Sequence, residues 1–352
     1  MKRVLMIGSL VLATVAFPAI PASAAPMTSD HLSWQLTDTG VTNQFRGMSA
    51  VSRDVAWAGG TQGTVLRTVD GGRTWRNVSP AGAETLQFRD IEAFDGRTAI
   101  ALAIGPSEAS RVYRTTDGGA QWTETFRNPD PNAFYDCMAF FDRRHGIALS
   151  DPVDGKFRIL STSDGGRSWA VLPTQGMPAA LDGEFAFAAS GQCVIADGDR
   201  DAWIASGGGA QARVFHSRDR GMTWTVGATP LASSGSAGVF ATAFRDGHGI
   251  AVGGDFLSPN TAVDALAFTR NSARTWEKPV TAPAGYRSGV TWYPFLRDVA
   301  IAVGPSGSDL TLDGGRRWFS FDTDSFDTVT CTRDGACWAS GVGGRIAKLR
   351  LG

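Results

Sequence analysis

Six octapeptides in this chain repeat one design: a Ser or Thr, a carboxylate or amide two residues on, a tight turn, then Trp. They run Thr68 to Trp75, Thr115 to Trp122, Thr162 to Trp169, Ser217 to Trp224, Thr269 to Trp276 and Thr311 to Trp318. A recurrence of about 40 to 55 residues is the period of a radial array of small sheets, so the pattern predicts a β-propeller. The residue types fit a hairpin turn. Asp accepts hydrogen bonds from turn amides, the glycine pair supplies positive φ, and the Ser or Thr hydroxyl adds a local bond. Trp is a large apolar plate that packs between sheets. The fifth copy departs, with Asn271 for Asp and Ser272-Ala273 for the glycines. Asn keeps an acceptor and tolerates the left-handed region, so this turn is expected to persist. On this reading Asp70, Asp117, Asp164, Asp219 and Asp313 are turn residues, not catalytic acids.

Aligned on the closing Trp, each repeat reads as four strands, A to D, with the octapeptide as the C–D turn. Abundant glycine and short alternating runs between Gly/Asp/Asn/Pro clusters give the all-β signature. A seventh copy is incomplete: Cys337 to Gly341 matches strand B and Arg345 to Leu349 matches strand C, and then the sequence stops. The missing strand lies at the other end, where His31 to Leu36 reads as an isolated D strand. Pairing the two removes exposed sheet edges. The expectation is therefore one all-β, seven-bladed propeller of four-stranded antiparallel blades over residues 31–352, closed by the N-terminal strand.

Lys2 and Arg3 precede an apolar run from Val4 to Phe17, and Ala22-Ser23-Ala24 offers small residues for cleavage. Residues 1–24 thus read as a signal peptide, and the chain as an exported, periplasmic or extracellular protein with no later membrane span. Cys331 and Cys337 flank a turn containing Asp334-Gly335 and are placed for a disulfide. Cys137 and Cys193 fall in different repeats and read as buried apolar side chains. The four His are scattered and the cysteine spacings are not those of a zinc site, so neither a metal nor a cofactor is expected. A net charge of −1 gives no footprint for nucleic acid. A monomer is expected.

The octapeptides occupy the outer edge of one face, with the A–B turns. The opposite face carries the B–C turns and the D-to-A crossovers, and strand A is innermost. Residues at the start of strand A and in the B–C turns should therefore converge on a central mouth. That layer includes Arg46, Arg89, Asp90, Asp136, Asp151, Glu184, Asp255, Tyr286, Arg287 and Ser288. Arginine forks with interspersed carboxylates suit recognition of a polar or anionic group. The alternative use of such residues is to tie blades together, since buried charges require partners.

The order Phe45-Arg46-Gly47, Phe88 to Ala93, Gly285 to Val290 and Gly304 to Asp309 before the last octapeptide resembles a bacterial family of exported Asp-box propellers. That family is related to the photosystem II stability and assembly factor of plants and cyanobacteria. The resemblance implies a seven-bladed propeller acting as an assembly or interaction factor for an exported protein client or an anionic small molecule or glycan. Relatives also carry glycosidase-like and oxidoreductase labels. No nucleotide fingerprint or haem motif supports redox chemistry here. The competing expectation is a glycoside hydrolase, because Asp boxes occur in sialidases. Three arginines with Tyr286, Glu184 and an Asp match a sialidase inventory, and Asp136, Asp151, Glu184 and Asp255 are its candidate acids. Seven blades instead of six, and no Arg-Ile-Pro triplet before the first box, depart from that pattern.

Overall fold

The computed structural model describes residues 32–351, so the signal-peptide reading of residues 1–24 falls outside them. Seven antiparallel sheets form a ring. Blade one spans residues 45–77, and blades two to six span 87–127, 135–171, 194–228, 237–269 and 289–322. Blade seven combines residues 328–351 with the first strand, Leu32–Thr37. That strand pairs in register from Leu32 with Leu351 to Thr37 with Ile346. The expected closure is present, and Trp34 reinforces it by donating from Nε1 to Ser308 Oγ of blade six at 2.9 Å.

The five turns that carry Asp share one geometry. Thr68 Oγ1 donates to Asp70 Oδ1 at 2.9 Å, and the amide of Thr74 donates to the same oxygen at 2.9 Å. The amide of Gly72 donates back to Thr68 Oγ1 at 3.0 Å. Gly71 and Gly72 have φ of 76° and 82°, where a Cβ is strained. In the fifth copy Asn271 Oδ1 takes the carboxylate's place and accepts from the Thr275 amide at 2.9 Å. The turn persists there, although Ser272 and Ala273 hold φ of 57° and 67° without glycine.

The core is a series of seams between blades. Trp57 and Phe88 are buried between blades one and two, and Trp338 and Phe45 between seven and one. The turn tryptophans seal the outer ends of several seams: Trp75 meets Trp338 edge-on at 5.9 Å, and Trp122 meets Trp57 at 6.2 Å. Burying each such side chain contributes about 1.5–3 kcal/mol.

Two details depart from the sequence reading. Blade five has three full strands, its fourth reduced to a single bridge between Phe268 and Glu277. Pro279, two residues on, has no N–H with which to continue the ladder. Cys137 and Cys193 are not separate apolar fillers. They are bonded to each other and join blade three to the start of blade four, in addition to the expected Cys331–Cys337 bridge. The glycine run after Ser206 is tightly packed: Gly207 bridges to both Phe185 and Gly238. A Cβ on Gly207 would fall 2.6 Å from the Gly238 Cα.

Candidate functional site

The innermost strands begin with a shared irregularity. In blades one, two, three and five the A–B register slips by one residue, at Arg46, Arg89, Asp136 and Phe240. A bulge leaves its extra residue unpaired and re-aims the side chain. Here the residue before each bulge, respectively Phe45, Phe88, Tyr135 and Val239, is buried in the core. The bulged residues of blades one, two and five line a mouth on the B–C face, and Asp136 lies buried close to Arg89. Asp151 occupies a further register slip on the second strand of blade three.

The mouth is a depression of about 300 Å³. One wall is aromatic: Phe187 stacks on Phe240 at 3.9 Å, and Tyr286 and Phe256 meet Phe240 edge-on at 4.8 and 6.2 Å. The other wall is charged. Arg46 lies 3.9 Å from Asp327, and its Nε has no hydrogen-bond partner. Asp327 is held instead by Gln44 Nε2 at 2.8 Å. Arg89 donates from Nη1 to the Ala188 carbonyl at 3.0 Å and from Nη2 to Gln87 Oε1 at 3.1 Å. Burial first, and then the neighbouring Arg46 charge, push the Arg89 guanidinium down to about 10, so it remains protonated at neutral pH.

Behind Arg89 lies an acid pair. Burial, and next the adjacent Asp151 charge, raise Asp136 well above the usual carboxylate range. Burial pushes Asp151 up to about 6, although its Oδ1 accepts from the Ala186 amide at 2.8 Å. Two neighbouring carboxyls in a dry site resist ionising together.

The structure thus brings together Arg46, Arg89 and Tyr286, with Asp136 and Asp151 behind them. It separates the other candidates from the mouth. Glu184 is spent on Arg213, which approaches both of its oxygens, and on Ser206 Oγ at 2.6 Å. Arg287 is fully buried: its Nε donates to Asp309 at 2.5 Å and its Nη1 to Ser306 Oγ at 2.9 Å. Ser288 is buried and donates to the Asp327 carbonyl at 2.7 Å. Asp255 caps its own turn by accepting from the Leu257 amide at 2.9 Å. Asp90 is buried on the far side and lines a different chamber. Sequence reasoning missed Asp327, Gln44, Phe187, Phe240 and Phe256. Phe240 and Asp327 belong to repeats five and seven, whose strand-A starts carry no arginine to draw attention to them.

Fold and site define the class: a seven-bladed propeller whose central mouth pairs an arginine-bearing wall with an aromatic one. No protein-family model and no curated protein matches the sequence. Solved structures do match its fold. YCF48 bound to a D1 peptide is similar over 95% of this chain and 99% of its own, with a TM-score of 0.64 and 16% identity. YCF48 from Cyanidioschyzon merolae is similar over 90% and 98%, with a TM-score of 0.60 and 16% identity. A GH74 xyloglucanase from Xanthomonas campestris is similar over 90% of this chain but 53% of its own, with a TM-score of 0.61 and 16% identity. Likeness at this identity establishes the fold alone.

Proposed function

We propose that this protein is an exported binding module of the photosystem II assembly factor-like type, and that its mouth holds an extended, carboxylate-bearing segment of a protein client. The observation that carries this reading is the pair Arg46 and Arg89. They stand at equivalent bulges of adjacent blades, with Nε of Arg46 unspent, facing a ready-made aromatic wall. Guanidinium forks take carboxylates bidentately, and an aromatic wall takes the neighbouring apolar side chains. A related fold with a bound D1 peptide supports a peptide over a small anion.

The test is capture of exported proteins by the mature chain, followed by peptide mapping and titration. Replacing Arg46 and Arg89 together by Ala should weaken the captured peptide at least tenfold and leave folding intact. Arg287 is left unchanged, because it holds the blade together. A glycosidase would need two carboxyls about 5–9.5 Å apart across a sugar cleft. Asp136 is instead buried beside Asp151, and Glu184 is neutralised by Arg213. Turnover of a β-glucan oligosaccharide that is lost in Asp151→Asn would overturn the binding reading.

A further inference from the structure

The crossover into blade four does more than connect strands. Ala188 and Ala189 line the mouth, whereas Ser190, Gly191 and Gln192 line a second chamber on the A–B face. Gln192 reaches across the ring: its Nε2 donates to the Val329 carbonyl of blade seven at 2.9 Å, and its Oε1 accepts from the Val290 amide of blade six at 2.9 Å. The segment is a floor between two compartments.

The second compartment has a volume of about 450 Å³ and opens between the aromatic rings of Phe140, Phe244 and Trp292. At its base stand Asp90 and Glu92, two residues apart on one strand and so on the same face. Asp90 Oδ2 accepts only from backbone, including the Met138 amide at 2.6 Å, and no basic group acts on either carboxyl. Two hydroxyls in the same lining, Ser190 Oγ and Thr242 Oγ1, have no protein partner, and their residues are 3% and 1% exposed. The rim cation, Arg245, is engaged by the carbonyls of Tyr293 and Leu296 at 2.9 and 3.2 Å.

We propose that this chamber binds a primary ammonium group carried on an aliphatic stem, from a lysine side chain or a free diamine. An ammonium has three donors and no acceptor, which matches a base made of carboxylates and acceptor hydroxyls. Asp90 is buried and Glu92 half-buried; carboxylates held there without a counter-charge are costly, and an incoming cation removes that cost. The aromatic side chains of the lining cover the aliphatic stem. A divalent metal fits less well, since no cluster of three or more metal-ligating side chains occurs among the described residues.

The experiment is calorimetric titration of the mature protein with 1,5-diaminopentane and with Nα-acetyl-lysine methylamide, alongside n-pentanol and calcium chloride. One or both amines should bind saturably, and pentanol should not. Preference for the lysine derivative points to a protein-borne lysine, and preference for the diamine to a free polyamine. Glu92→Gln and, separately, Thr242→Val should each weaken the amine at least fivefold, while the Arg46/Arg89 double Ala variant should bind it unchanged. The Thr242 variant keeps the test valid should the Glu92 variant fold poorly. Absence of saturable amine binding overturns the proposal. So does amine affinity that is indifferent to both the Glu92 and the Thr242 variant, or calcium bound in the chamber that the amines do not displace.

Discussion

Backbone strain and buried charge are concentrated at a few residues whose substitution has a predictable sign. Ser272 and Ala273 occupy the left-handed region that glycine fills in four of the other five turns. Each costs roughly 1–2 kcal/mol there, against about 0.4–1 kcal/mol for the extra unfolded-state freedom of glycine. Ser272→Gly with Ala273→Gly should therefore stabilise the protein by about 1 kcal/mol, read as a raised urea midpoint at unchanged slope. Asp309→Ala should act the other way and cost about 3–5 kcal/mol, because it strands the fully buried Arg287 charge. These two cases also show what was legible at this scale. The turn chemistry acts within eight residues, so the sequence displays it whole. The pairing of Glu184 with Arg213, 29 residues on, leaves no local trace, and a spent carboxylate looked like a free one.

At the scale of strands and turns, the same division between local and distant holds. Strand order, the C–D turns and the split seventh blade follow from repeat spacing, because each blade is built from neighbours in the chain. The Cys137–Cys193 bond and the Gln192 crossing join different blades, and nothing in the local pattern marks them. The two disulfides should consequently differ in weight. Cys137–Cys193 closes a separation of 56 residues and Cys331–Cys337 one of 6. Loop-closure entropy gives about 4 kcal/mol for the first and about 2 kcal/mol for the second. Paired Cys→Ser variants, compared by chemical denaturation, should show the larger loss for Cys137/Cys193. An equal loss would mean that the inter-blade bond adds no constraint beyond the seam around it.

For the whole molecule, two collective properties remain: the pH profile and the closure of the ring. Asp151 and Glu92 are pushed up by burial to about 6 and about 7, while hydrogen bonding holds Asp70, Asp142, Asp164 and Asp334 down to about 2. The raised acids contribute stability that is full below their unfolded values near 4 and is lost as pH rises through about 6 to 7. The depressed acids contribute stability that is present above about 4 and is lost as pH falls toward 2. Thermal midpoints should accordingly peak near pH 4–5 and decline toward neutrality, and a flat profile from pH 4 to 7 would contradict the buried-acid assignment. Closure is tested separately. Removing residues 1–37 takes Leu32 and Trp34 out of the seam between blades six and seven and bares the edge from Ile346 to Leu351. Two such side chains account for about 3–6 kcal/mol, and an open edge recruits other strands. The truncated chain should unfold at a lower midpoint and self-associate, and a synthetic peptide of residues 31–38 should reverse both. If instead the shortened protein stays monomeric at the original midpoint, the six other seams hold the ring without its clasp.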